Sequence, residues 1–210
     1  MIKLDLRKEL KHLYAPSAKK VEMVDVPRFQ FVMIDGLIEP GLLPGSSPGF
    51  QDAMGALYGA TYTLKFISKL RKADPIDYTV MVLEGLWWVE GGEFSFESKD
   101  PWAYTVMILQ PDHITPEMFA EALGQLRKKK GDQPAFSRLR LEAFEEGPCI
   151  QVMHVGPYAA EPATVEKMDA FAREHGYLLH GKHHEIYLGN PLRAQPEKLK
   201  TILRHPITRK

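Results

Sequence analysis

The chain has one cysteine, Cys149, among 210 residues, so it can form no internal disulfide and no thiolate cluster for a metal. Its flanks, Pro148 and Ile150-Gln151-Val152, read as the start of a strand, which makes Cys149 a buried structural thiol and not a nucleophile. Neither sign of charge is in surplus: 27 Lys plus Arg face 27 Asp plus Glu, and a neutral chain sets up no field that gathers nucleic acid or anionic lipid. The basic run Lys128-Lys129-Lys130 suits a solvated helix end, where the helix dipole favours cations. No window reaches the roughly 20 apolar residues of a membrane span, and Met1-Ile2-Lys3-Leu4-Asp5 opens without an apolar stretch of signal-peptide length. A cytoplasmic protein with no membrane partner is the expectation. Also missing are the G-x-G-x-x-G and G-x-x-x-x-G-K-[ST] phosphate cradles and the G-x-S-x-G nucleophile elbow. Neither a cofactor nor a serine triad is expected, and 45-GSSPG-49 reads as plain loop.

What is present repeats. The segments 27-PRFQFVMIDG-36 and 147-GPCIQVMHVG-156 align Val32, Met33 and Gly36 with Val152, Met153 and Gly156, and each leads through a Pro-containing loop into a helical pattern and then extended runs. After 39-EPGLLPGSSPG-49, the spacing of Met54, Leu57, Tyr58, Thr61, Tyr62 and Ile67 predicts a helix over Phe50 to Arg71, stopped at Asp74-Pro75. Strands follow over 77–90 and 102–111, joined from Gly91-Gly92 to Pro101. In the second half, two strands between Arg138 and Val155 turn at Glu146-Gly147-Pro148. A helix near Pro162 to His175 presents Val165, Met168, Phe171 and Ala172, and is ended by Gly176. Extended runs over 177–190 and 200–207 close the repeat. Between the halves, Thr115-Pro116-Glu117 is a helix start with Thr as N-cap, for a helix ending at Gly131. The expectation is an α+β fold: an N-terminal segment 1–26, then one domain over 27–207. That domain consists of two β-α-β-β repeats, about 27–111 and 136–207, joined by the helix near 115–130. Antiparallel strands with helices would surround a central ligand cavity.

The stretch 182-KHHEIYLGNP-191 places a carboxylate ahead of a buried-looking Ile-Tyr-Leu, where an unpaired charge costs several kcal/mol. In a strand, His183, Glu185 and Tyr187 share one face and His184, Ile186 and Leu188 the other. The second set is the more apolar, so the first should face a cavity or solvent. His180 and His184 would chelate zinc from a helix, but along a strand they stand about 13 Å apart, and no metal is expected. In 84-EGLWW-88 the adjacent tryptophans Trp87 and Trp88 point to opposite faces, one into the core and one free to line a cavity. Gly85 lets a ring or ligand approach the backbone. Glu84 is read as a surface residue of that strand, with a second pocket carboxylate as the alternative. Together with Tyr58, Tyr62, Tyr104, Tyr158 and Tyr187, these residues suggest an aromatic-lined pocket.

The pieces 57-LYGATYTLKF-66, 83-LEGLWW-88, 154-HVGPY-158, 183-HHEIYLGNP-191 and 197-EKLKTILRHPI-207 resemble the GyrI-like small-molecule-binding family, the domain type of multidrug-responsive regulators. They are most similar to stand-alone members that hydrolyse cyclopropane-bearing, DNA-alkylating natural products and bind aromatic or cationic drugs. The resemblance implies paired β-α-β-β modules with pseudo-twofold symmetry around a cavity. It implies Glu185 as the pocket acid, in the context H-E-I-Y-L, and aromatic walls from Trp87 or Trp88 with Tyr58, Tyr62, Tyr158 and Tyr187. The sequence departs at 189-GNP-191, where an acidic residue often precedes the proline. His154, close to Tyr158, is either a proton donor to the ligand or a structural histidine. Two functions compete. In one, Glu185 is the general base of a hydrolase, in an apolar setting of the kind that brings carboxylates towards proton transfer near neutral pH. In the other, it pairs with a cationic aromatic ligand that is bound and not turned over.

Overall fold

The computed structural model describes residues 1–90, 100–189 and 193–210. The Gly91–Pro101 connection expected from sequence, and Asn190 and Pro191 of the 189-GNP-191 departure, lie largely outside them. In chain order the elements are β1 (Ile2–Leu4), α1 (Leu6–Glu9), α2 (Lys11–Tyr14), β2 (Glu22–Val26), β3 (Phe29–Leu37), α3 (Pro48–Leu70), β4 (Ile76–Tyr78), β5 (Leu83–Val89) and β6 (Trp102–Gln110). There follow α4 (Pro116–Lys130), α5 (Pro134–Arg138), β7 (Arg140–Phe144), β8 (Gly147–Val155), α6 (Glu161–Glu174), β9 (Tyr177–Leu179), β10 (His183–Tyr187) and β11 (Lys200–Arg209). The fold is α+β, and among the described pairings the strands run antiparallel except for the short parallel pair of β1 with β4. In chain order the helix α3 lies between β3 and the three strands β4, β5 and β6, and α6 between β8 and the three strands β9, β10 and β11. No helix among the described residues is long and apolar enough to cross a membrane.

The chain forms two compact units. The first gathers β1, α1, β3, α3, β4, β6, α4, α5 and β7, and the second α2, β2, β5, β8, α6, β9, β10 and β11. In the first, β3 lies between β6 and β7, and α3 buries Phe50, Ala53, Ala56, Leu57, Ala60 and Leu64 at helical spacing. The alanines allow close approach, and Gly59 sits so near Leu126 of α4 that a Cβ there would come within 3.1 Å of it. Ser47 caps α3, its hydroxyl accepting from the Phe50 amide at 3.1 Å. Thr115 does the same for α4, accepting from Met118 at 3.3 Å. Gly131 follows α4 at φ 78°, in the left-handed region that favours glycine.

In the second unit the strands lie in the order β2, β8, β11, β10, β5, with β9 also on β11. Ile150, Val152, Leu203 and Ile207 of β8 and β11 pack with Met168 and Ala172 of α6. Each buried aliphatic side chain of this kind contributes about 1.5–3 kcal/mol. Two expected long strands are broken. The run 77–90 splits because β4 pairs with β1 while β5 pairs with β10. The run 177–190 splits at Gly181, whose φ of 71° turns the chain between β9 and β10.

Candidate active site

Two strands set the face on which the site is built. β10 pairs with β5 so that His183 opposes Trp87, Glu185 opposes Gly85 and Tyr187 opposes Leu83. On its other side Glu185 opposes Leu203 and Tyr187 opposes Thr201 of β11. Directly opposed residues share a face of an antiparallel sheet, so Glu185, His183, Tyr187, Trp87 and Thr201 project to the same side. Gly85 is essential to the arrangement: a Cβ there would sit 2.8 Å from Trp87 Nε1 and 3.2 Å from the Tyr187 hydroxyl. The ring that the glycine admits is that of Trp87 itself.

Glu185 is buried, with 7% of its surface exposed. His183 Nε2 lies 3.0 Å from Glu185 Oε1, and His183 Nδ1 lies 2.8 Å from His205 Nε2. Burial, then the neighbouring His183, holds His205 down at a pKa of about 3. A neutral His205 that donates to His183 Nδ1, and a His183 Nε2–H that donates to Glu185, satisfies both contacts. Tyr187 accepts from Trp87 Nε1 at 2.9 Å and stands on the same face of β10 as Glu185. Burial, reinforced by the Glu185 charge, keeps that phenol protonated well above its usual range. Tyr158 meets Tyr187 edge to face at 5.9 Å and is raised to about 12, by burial and then by Glu185 and Glu161. Both tyrosines are partly buried. Glu161 also reaches this face from the first turn of α6. One ligand atom each from Glu161, His183 and Glu185 lie within 4.8 Å of one another. In the structure His183 Nε2 is hydrogen-bonded to Glu185 at 3.0 Å.

The opposite face corrects the reading of Glu84. It is not a surface residue: 1% of it is exposed, and it accepts from Tyr14 at 2.7 Å and contacts His184 Nε2 at 3.1 Å. His184 Nδ1 meets Glu146 at 3.0 Å, and Arg204 lies 3.5 Å from Glu146 while donating to Gln151 and to the Leu13 carbonyl. Burial opposes a charged His184, but Glu146 and Glu84 together raise it to about 9. The face expected to be apolar is therefore interior for another reason: its polar groups satisfy one another, and they tie α2 to the sheet.

The other predicted residues are dispersed. Tyr58 and Tyr62 are exposed on α3 of the first unit, with ring centroids 6.4 Å apart. Tyr104, also in the first unit, is 1% exposed and packs edge to face on Phe50 at 5.0 Å. His154 belongs to the second unit but has both ring nitrogens engaged: Thr164 Oγ1 lies 2.9 Å from Nδ1, and Nε2 donates to the Pro157 carbonyl at 3.2 Å. It pins the turn that leads into α6. A surface cleft of about 430 Å³ runs past His154, Val152, Thr164 and Lys167 and does not include Glu185. Trp88 faces away from Glu185, and the Lys182 ammonium stands 3.4 Å from its ring centroid. Alanine should therefore separate the tryptophans in urea unfolding. Trp87→Ala is expected to cost about 3–5 kcal/mol, as for a buried indole, and Trp88→Ala less than half of that, since it is half-buried and its cation contact is worth about 0.5–1 kcal/mol. Equal costs would contradict the assignment of faces.

An enclosed acid among aromatic rings on the sheet of an α+β unit is the equipment of a small-molecule-binding domain. The chain belongs to the GyrI-like small molecule binding domain family, whose model matches residues 19–207. An uncharacterized conserved protein from Listeria innocua is 40% identical, over 98% of this chain and 100% of its own, with a TM-score of 0.87. A hydrolase encoded by lin2189 from Listeria innocua is likewise 40% identical over 98% of this chain and 100% of its own, with a TM-score of 0.85. The EcmrR C-terminal domain shares the fold alone, at 9% identity over 91% of this chain and 98% of its own, with a TM-score of 0.54. A search of curated proteins finds no match.

Proposed function

We propose that this protein is a hydrolase that adds water to a strained electrophilic ring, opening the cyclopropane of DNA-alkylating aromatic natural products, with Glu185 as the general base. The observation that carries this reading is the setting of Glu185. It is a nearly enclosed carboxylate beside Trp87, Tyr187 and Tyr158, held by His183 at 3.0 Å. Similarity to Listeria innocua proteins called hydrolases supports it.

The chemistry needs little else. Glu185 takes a proton from water while the water oxygen bonds to the cyclopropane carbon. The strained C–C bond breaks, and its electron pair passes through the conjugated dienone to the carbonyl oxygen, which is then protonated. Aromatic stacking holds the planar ligand, each ring adding about 0.5–1.5 kcal/mol beyond burial, and fixing water against the electrophile removes much of the entropic barrier. The hydroxyl–phenol arrangement of Tyr158 and Tyr187 gives the ligand an amphipathic rim.

The direct test is to incubate the wild type with a spirocyclopropyl cyclohexadienone and follow the ring-opened product by chromatography. Many turnovers per protein are expected. Stoichiometric binding without product would instead favour a protein that sequesters cationic aromatic ligands, the acid then pairing with the cation.

A further inference from the structure

The Glu185 face contains a second acid to which the reaction above gives no role. Glu161 is fully buried, at 0% exposure, and neither of its carboxyl oxygens has a hydrogen-bond partner. Thr201, 1% exposed on β11, has an Oγ1 that is likewise without a partner. The two are neighbours, and Glu185 is the other polar group acting on Glu161. Three orphaned polar atoms therefore converge beside the acid assigned as base, in a protein interior where such atoms are normally satisfied.

Two carboxylates at this separation in dry surroundings do not both ionise; one proton converts their repulsion into a hydrogen bond. The structure decides which of them holds it. Glu185 has His183 Nε2 3.0 Å from its Oε1, whereas neither carboxyl oxygen of Glu161 has a hydrogen-bond partner and Glu161 is the more enclosed. His183 is the imidazole in contact with this pair. Tyr158, on the turn before α6, and Tyr187, on β10, are raised phenols. His205, on β11, is neutral, and His154, on β8, is spent on Thr164 and Pro157. The dipole of α6 favours a charged Glu161, but burial and the charge of Glu185 outweigh it and raise its pKa to about 9.

We propose that Glu161 and Glu185 form a carboxyl pair holding one proton, carried by Glu161, and that Glu161 and Thr201 fix the water that Glu185 activates. The Glu161 O–H donates to Glu185, and its carbonyl oxygen and the Thr201 hydroxyl are left to bind and orient that water. Glu161 is thus a positioning residue that acts through Glu185, and its part in catalysis rests on the hydrolase reading above. The pair itself does not.

The pair is tested without ligand. Infrared difference spectra should show the carbonyl stretch of a protonated carboxyl at pH 7.5 in the wild type and not in Glu161→Gln. Glu161→Gln should also melt above the wild type at pH 8.5, with the gap closing towards pH 5. Absence of that band, a Glu161→Gln variant that melts below the wild type at pH 8.5, or stabilisation of the wild type alone by Zn²⁺ or Mn²⁺ would overturn the pair, the last by showing that a cation neutralises it. The catalytic role is tested with the spirocyclopropyl dienone. Glu161→Leu should lose about tenfold to a hundredfold in kcat. Glu161→Gln, which keeps a donor and an acceptor, should recover at least tenfold of that and should lack the wild type's fall in kcat towards pH 9. Identical alkaline limbs in the wild type and Glu161→Gln would sink the positioning role. If no protein turns the dienone over, the hydrolase reading fails while the infrared and melting results still decide the pair.

Discussion

Glu185→Gln is expected to lower turnover of a spirocyclopropyl dienone by a hundredfold or more, the range over which a positioned general base acts, while binding of the ring-opened product changes far less. The two effects separate because the substitution removes the basic lone pair and leaves the surfaces that hold the ligand. Trp87, Tyr187 and Tyr158 are positioned by the β5–β10 register and by each other, with Trp87 Nε1 still donating to the Tyr187 hydroxyl at 2.9 Å. The carboxamide can still accept from His183. Removing the charge should also lower the pKa of Tyr187 and Tyr158, since after burial the Glu185 carboxylate is the next influence raising each. An ultraviolet titration of tyrosinate would detect that change independently of catalysis. Product binding lost in parallel with turnover would mean that Glu185 acts by holding ligand; unchanged turnover would remove it from the chemistry altogether.

The second large effect concerns stability. His184→Leu should destabilise the protein by about 3–5 kcal/mol, the usual cost of removing one member of a buried ionic cluster, or roughly 10 °C in Tm for a chain of this size. The reason is what remains. Glu84 and Glu146, with side chains 1% and 2% exposed, lose the imidazole that lies between them, and Arg204 at 3.5 Å serves only Glu146. The pH dependence follows from the directions of the shifts. His184 is raised from 6.5 to about 9, so its contribution is complete below 6.5 and lost as pH rises through about 9. Glu146 is lowered despite its burial, through His184 and Arg204, so its contribution is present above 4.5 and lost as pH falls through its depressed pKa. Glu161, raised from 4.5 to about 9, loses stability in the same direction as His184 over a wider window. Urea unfolding across pH 6 to 9.5 should therefore show a steeper alkaline loss in the wild type than in His184→Leu. Parallel curves would show that His184 carries no bound proton in the folded state.

Local rules placed most of the elements. Thr115-Pro116 and Gly131 bracket α4 to the residue, since an N-cap hydroxyl and a left-handed glycine are requirements of the helix ends themselves. The helical spacing through 50–71 became α3 over Pro48–Leu70. The break after Tyr78 was not legible, because it arises from a change of pairing partner that the run of residues does not encode; at Gly181 both β9 and β10 stay on β11, and the break is a shift of register at a left-handed glycine. The N-terminal segment likewise gave no sign that Leu13 and Tyr14 would be buried beside Arg204 and Glu84. Glu161 was missed for a related reason. An acidic residue in the first turn of a helix is the ordinary complement of the dipole, and nothing local marks it as enclosed.

The sequence by itself determined the class of fold and the alternation that puts Glu185 on one face of a strand with His183 and Tyr187, because these depend on backbone period over a few positions. Only the tertiary structure decided that Trp87 and not Trp88 shares that face, that Glu84 is a buried partner of His184, and that Glu161 meets Glu185. Those facts depend on strand register and on the docking of α6, which bring together residues 24 to 100 positions apart, and the electrostatics of a carboxyl group are set by what surrounds it in space and not by its neighbours in the chain.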